Sequence, residues 1–289
     1  MTAIYRRELG SYYRSIIGYV LSAIVLASIG YGVATANLNS GSANFEYVLN
    51  NIIMVIILMV VIPVLTMRII AEERRQRTDQ LLYSLPTTMT KVVLGKYLAA
   101  VTVLALPLAV VAVYPLILGT FGRINYGIAY GNLLAFFLLC CALVSMGLFA
   151  SSLTESQILA AVLCFFVLFV NFMMPMLAAA VPKDALTALV ALVLCLLLLG
   201  LILWLLTRNT VISITFTAVC EAALLVFYLL SKDSFAGLFT RVIDALSLFS
   251  RLDSFYFGVF DLVNVVYYLV VSAVFIFLTV QVMEKRRWS

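Results

Sequence analysis

Eight runs of about twenty apolar residues, almost free of Asp, Glu, Lys and Arg, dominate the chain, at residues 16–36, 50–70, 97–119, 131–152, 157–181, 185–206, 210–230 and 263–283. A helix needs about 20 such residues to cross the hydrocarbon core of a bilayer. Inside that core, only a helix or a closed barrel satisfies its own backbone hydrogen bonds. The expected fold is therefore all-α, a polytopic transmembrane helical bundle of about eight spans forming one membrane domain over residues 1–289. Charged residues make up only 11% of the chain, against roughly 25% in soluble domains. The length left between the runs is too short for a separate soluble catalytic domain.

The positive-inside rule orients such a bundle. With the N-terminus in the cytoplasm, thirteen Lys and Arg residues fall on the inner side and five on the outer side. Both termini are therefore expected in the cytoplasm, in agreement with an even number of spans. Ala34-Thr35-Ala36 imitates a signal-peptide cleavage site. The apolar run before it is longer than the ~7–15 residues of a signal peptide, so it reads as a retained first span. Pro63, Pro107, Pro115 and Pro175 lie inside expected spans and should kink them.

Chemistry is narrowly bounded. The chain has no histidine, which excludes histidine metal sites and Ser-His or Cys-His catalysis within it. Its five cysteines lie in apolar runs and read as small hydrophobes. The Gly95-Lys96 pair would need glycine at position 90 to form a phosphate-binding loop, and that residue is Thr90. No catalytic residue, metal site or cofactor is expected in the chain, and nothing points to nucleic acid.

One interruption is dense with charge: Glu72-Glu73-Arg74-Arg75-Gln76-Arg77-Thr78-Asp79-Gln80. Glu73 and Arg77, and Arg75 and Asp79, stand four apart, a spacing that supports a helix. Leu81, Leu82 and Leu85 follow as a small apolar patch, and Pro86 ends the helix. Thr87 or Thr88 then caps the run Met89–Lys96 into the third span. The segment 72–96 is either a docking helix for a cytoplasmic partner or a solvated loop. Its mixed charge favours docking, because a topology signal needs only Lys and Arg.

Other water-facing elements are simpler. Residues 1–15 mix Tyr5 with Arg6, Arg7 and Glu8, a pattern suited to an amphipathic elbow helix on the inner leaflet, or to anchoring alone. The short loop Ser151–Gln157 includes Thr154, Glu155 and Gln157 and lacks a basic residue, so it reads as a contact or a plain turn. In the outer segment 231–262, Phe235, Leu238, Phe239, Val242, Leu246 and Phe249 recur at helical spacing. That pattern predicts an interfacial helix, as lid or anchor. Glu221 falls mid-membrane, where a carboxylate costs roughly 2.5–3.5 kcal/mol on insertion scales. It reads as a pathway or interface residue, or as a neutral partner of a neighbouring helix. Asn171 is a milder case of the same kind.

The run Ile4-Tyr5-Arg6-Arg7-Glu8-Leu9-Gly10-Ser11-Tyr12-Tyr13 resembles the start of type-2 ABC transporter permeases. Met67 to Leu82 with Leu94-Gly95-Lys96-Tyr97, Ser151 to Gln157, and Glu284-Lys285-Arg286-Arg287-Trp288 resemble the same family, and most closely its gliding-motility-type group. The resemblance implies the membrane subunit of a bacterial exporter in the cytoplasmic membrane. Such a subunit pairs with a second permease, the same chain or a different one, and docks a separate ATPase that binds ATP and magnesium. By position, Glu72 to Leu85 would be the coupling helix, with Glu72, Glu73, Arg74, Arg75, Arg77, Asp79, Leu81 and Leu82 as docking residues. Thr154, Glu155 and Gln157 would form a second contact. The common core of that family has six spans, so 185–206 and 210–230 stand out as an extra pair. The alternatives from other classes are an ion- or proton-coupled transporter using Glu221 and a non-conducting membrane anchor for an ATPase.

Overall fold

The computed structural model describes residues 1–39, 44–78, 88–120, 122–182, 184–207, 210–230, 235 and 237–287. Among these residues every regular element is a helix. Six helical stretches are long and apolar enough to cross a membrane: Ile16–Leu38, Ile52–Arg75, Met89–Leu118, Tyr126–Leu153, Gln157–Ala180 and Leu262–Arg286. The extra pair also folds as helices, Ala185–Thr207 and Thr210–Leu230. Their described apolar stretches, Ala185–Leu197 and Ser213–Tyr228, are shorter.

The chain divides into two compact units, one of residues Met1–Phe169 with Arg251–Ser289, the other of Val170–Ser250. In the first, α1 (Thr2–Arg14) turns at the extended residue Ser15 into α2 (Ile16–Val33), which ends in a wider turn of π-helix over Ala34–Leu38. The turn at Ser15 is tight: a Cβ on Gly18 would lie 2.7 Å from the Tyr12 carbonyl oxygen. A short α3 (Glu46–Leu49) leads to α4 (Ile52–Thr66), whose start is capped by the Asn51 Oδ1 accepting from the Ile53 N–H at 3.0 Å. After α4 comes α5 (Ala71–Arg75).

The third expected span and the run before it form one unbroken α6 (Met89–Val111), so Lys96 lies inside a long helix rather than in a separate entry element. Pro107 and Pro63 sit within their helices, whereas Pro115 opens a separate short α7 (Tyr114–Leu118) after a break at Ala112. The Asn125 Oδ1 caps α8 (Tyr126–Leu153), accepting from Gly127 N–H at 3.1 Å and Ile128 N–H at 3.4 Å. Helix α8 is the most deeply buried of the six spans. Its 28 residues reach about 42 Å, longer than the ~30 Å hydrocarbon core, so its ends stand outside it. Helices in lipid gain little from hydrophobic burial against one another and rely on close approach through small residues. Helix α8 buries Ala135, Ala142, Ser145, Ala150 and Ser151 in this way. At Gly147 a Cβ would collide with the side chain of Thr66, which places α4 directly on the α8 backbone. Helix α9 (Gln157–Ala180) follows and runs into the second unit; α13 (Leu252–Tyr256) and α14 (Leu262–Arg287) complete the first.

In the second unit, α10 (Ala185–Thr207) and α11 (Thr210–Leu230) pack as a hairpin pair. The Ser213 hydroxyl donates to the Gly200 carbonyl at 2.5 Å, and Gly200 has no room for a Cβ beside Thr217. The amphipathic pattern of the outer segment gives α12 (Leu238–Leu246), entered through Gly237 at φ 73°. Phe235, just before the helix, and Phe239 on it are buried against Ala188, Leu189, Leu192 and Tyr228, whereas the apolar Val242 and Leu246 are exposed together with Arg241, Asp244 and Ala245. The large aromatic side chains therefore serve protein packing.

Candidate functional site

At the charged end of the first unit, the chain leaves α4 through a turn at Met67–Ile70 and enters α5. Helix α5 has no side-chain cap of its own. Ser151, near the end of α8, supplies one: its hydroxyl oxygen accepts from the Ile70 N–H at 3.2 Å and the Ala71 N–H at 3.1 Å, and donates to the Met67 carbonyl at 3.3 Å. One hydroxyl thus satisfies two backbone N–H groups left open at a helix start. Arg74, also buried, donates to the Ser152 carbonyl. These bonds fix α5 to the end of α8.

The centre of the site is Lys96, whose side chain has no exposed surface. An ammonium has three donors and no acceptor. Here they meet three acceptors: the Glu73 carboxylate at 2.8 Å, the Ile69 carbonyl at 2.9 Å and the Glu8 carboxylate at 3.2 Å. Arg7 closes the group from the solvent side, donating to Glu73 at 2.7 Å and to Glu8 at 2.8 Å. Two cations and two carboxylates give no net charge. The hydrogen bond with Glu8, ahead of the charges of Glu8 and Glu73, raises the Arg7 pKa above its ordinary value against the opposing effect of burial. Since burying an ammonium alone costs several kcal/mol, Lys96 is stable only with this complement of partners. The group joins α1, α5 and α6. Around it, the Tyr12 hydroxyl donates to the Leu65 carbonyl at 2.8 Å, and Tyr5 is hydrogen-bonded with Thr102 at 3.0 Å. Gly95 lets Ile4 approach α6 closely: a Cβ there would lie 3.3 Å from the Ile4 side chain. The N-terminal helix is thus a packed part of the bundle end.

The expected docking residues separate into groups. Glu73 and Arg74 point into the protein, and Glu72 pairs with Arg68 at 2.9 Å. The expected helix from Glu72 to Leu85 is, among the described residues, only Ala71–Arg75. It ends because Arg77 takes a left-handed conformation, φ 55°. Glu73 therefore meets Arg7 and Lys96 rather than Arg77. Arg75, Gln76, Arg77 and Thr78 are exposed. Asp79, Leu81 and Leu82 lie outside the described residues.

In the second loop, the Thr154 hydroxyl donates to the Ser156 carbonyl at 3.2 Å, and Gln157 opens α9. Glu155 is largely exposed and faces Arg286 at 3.8 Å, while Arg286 also donates to the Leu153 carbonyl at 3.2 Å. The end of α14 thus meets this loop. Arg6 is exposed on α1.

Neither intramembrane candidate belongs to this cluster. In the second unit, Asn171 clasps the chain after α12: its Oδ1 accepts from the Leu248 N–H at 2.9 Å and its Nδ2 donates to the Leu246 carbonyl at 3.0 Å. It holds a loop rather than a neighbouring span. Glu221 Oε1 is shut off from solvent with no hydrogen-bond partner among the described residues. At the far end of α4, an open cleft of about 490 Å³ is lined by Tyr47, Asn50, Asn51, Asp253, Tyr256 and Phe257. There the hydrogen bond with Tyr47, first among several causes, pushes the Tyr256 phenol up to about 12.

Sequence reasoning missed Lys96 and Ser151. A signal for Lys96 was present: it sits inside Val92-Val93-Leu94-Gly95-Lys96-Tyr97, an apolar context where a lysine needs partners.

The model of one family, ABC-2 family transporter protein, matches residues 40–218, well over half of the chain. The chain belongs to the ABC-2 transporter family. It is a type-2 ABC permease, the membrane component of such a transporter. Curated proteins and solved structures yield no match. The matched stretch of this ABC-2 permease contains α5, Lys96 and the second loop, whereas α1 and α14 lie outside it.

Proposed function

We propose that the chain is the permease subunit of an ATP-driven exporter, with a separate cytoplasmic ATPase docked at the end that carries α5 and the second loop. The observation that carries this reading is the Lys96 group, which ties α5 to α1 and α6. A push on α5 is transmitted directly to a transmembrane helix, as coupling of ATP hydrolysis to transport requires. ATP binding closes the ATPase pair, α5 moves with it, and α6 carries the motion toward the outer face. In this reading the charged end and both termini are cytoplasmic, the membrane is the bacterial cytoplasmic membrane, all eight apolar helices cross it, and a second permease completes the pathway. Hydrolysis belongs to the partner, because the chain has no phosphate-binding loop.

The test is purification of the tagged chain in mild detergent from its native host, followed by ATP hydrolysis after reconstitution. A stoichiometric ATPase with Walker motifs, and substrate movement that stops when its Walker lysine is replaced, is the expected result. Transport by the chain alone would refute the proposal.

The Glu221 Oε1, shut off from solvent with no hydrogen-bond partner among the described residues, supports a second reading, a proton-coupled transporter. Glu221→Gln would abolish transport by that mechanism and leave an ATP-driven one active.

A further inference from the structure

The mixed charge of residues 72–80 is sorted by the fold. Glu72 and Glu73 are paired within the protein, by Arg68 and by Arg7 with Lys96, and Arg74 is turned inward, donating to the Ser152 carbonyl. The two arginines that follow are turned outward. Arg75 and Arg77 are exposed, and neither takes part in an ion pair among the described residues. Even with Asp79 counted, residues 75–79 keep a net positive charge. Arg6 and Lys91, on the two helices that flank this end, are exposed as well.

The turn that presents these arginines is closed on itself. The Gln76 N–H donates to the Glu72 carbonyl at 3.0 Å, the Arg77 N–H to the Arg74 carbonyl at 3.0 Å, and the Thr78 N–H to the Glu73 carbonyl at 2.9 Å. The Thr78 hydroxyl adds a bond to the same Glu73 carbonyl at 3.2 Å. A left-handed arginine, here Arg77 at φ 55°, is disfavoured relative to ordinary backbone, and these bonds offset that. The knob is preformed, so little ordering is needed when it binds.

We propose that Arg75 and Arg77 form a basic knob that docks into a carboxylate-lined groove of the partner ATPase. The proposal rests on the docking reading above and adds the charge of the surface that the partner must offer. An anionic leaflet is the competing occupant, and the segment is poorly built for it. Interfacial elements bury an apolar face in the headgroup region, and the described turn that carries the two arginines, residues 72–78, contains no apolar residue. Arginine further suits a protein groove, because its planar fork matches a carboxylate two bonds at a time.

The experiment measures ATPase binding to the full-length chain in nanodiscs of zwitterionic lipid and of anionic lipid. Arg75→Glu/Arg77→Glu is expected to lower affinity for the co-purified ATPase by about 10-fold or more in both lipids. Arg75→Lys/Arg77→Lys should lose less, and added salt should weaken the wild type while barely affecting the reversed variant. Unchanged melting temperatures of the variants, whose changed side chains are exposed, separate lost docking from lost folding. Wild-type affinity in the reversed variant overturns the proposal. A loss confined to anionic discs also overturns it, assigning the knob to the leaflet. A wild type that retains no Walker-motif ATPase removes the docking reading itself, and this inference with it.

Discussion

Lys96→Met is the most informative perturbation of the charged end. The side chain lies wholly out of water among Glu73, Glu8 and the Ile69 carbonyl. Methionine keeps the length and apolar stem but leaves two carboxylates facing each other with only Arg7 between them. Removing one partner of a buried ion group costs about 3–5 kcal/mol. The lower end applies here, because Arg7 is 59% exposed and Glu8 and Glu73 keep 14% and 16% of their side-chain surface. A cost of about 3 kcal/mol corresponds to roughly a 100-fold shift toward states in which α5 is detached from α1 and α6. The assay is amide hydrogen exchange over Ile70–Arg75 in purified protein, with the melting temperature alongside. Exchange of these amides should accelerate far more than exchange in the middle of α8. Lys96→Met/Glu73→Gln should recover much of the loss, because replacing both members of a buried pair by neutral groups is often tolerated. Protection of α5 unchanged in Lys96→Met, or losses of the two substitutions that simply add, would refute the reasoning, because partners in one network are not additive.

Smaller changes test the supports of the same architecture. Ser151→Ala leaves the Ile70 and Ala71 N–H groups without their acceptor and should cost about 1–3 kcal/mol, read as faster exchange at those two amides. Gly147→Val should push α4 off α8, because Thr66 occupies the space of its Cβ, and lower the yield of folded protein in detergent gel filtration. Asn171→Ala should release Leu248 N–H and Leu246 carbonyl, opening the loop after α12 to limited proteolysis while exchange in α5 stays at the wild-type rate.

The helices were legible in the sequence because a charge-free run of twenty residues has few alternatives in lipid. All eight expected runs are helical. Six meet the length and hydropathy needed for a span within the described residues. The charged segment was legible as an element and illegible in its parts. Spacing four apart suggested that Glu73 meets Arg77, but the partner that wins is Lys96, 23 positions away and carried by another helix. A tertiary ion pair leaves no local spacing to read. The helix also ends early, at a left-handed arginine that no glycine or proline announces. In the outer segment the amphipathic period was readable, but the surface covering Phe235 and Phe239 was not, since lipid and protein select the same apolar face. Asn171 was visible as an unusual polar residue in an apolar run; its backbone clasp depends on a loop 75 residues further along.

A photo-crosslinking amino acid at Gln76, read by mass spectrometry in native membranes, tests the central claim most directly. Gln76 is exposed at the tip of α5, between the two outward arginines. The account predicts an adduct with a Walker-motif ATPase whose yield changes when ATP is added. An ATPase that co-purifies with the chain yet never crosslinks from Gln76, while lipid adducts form there, would contradict it.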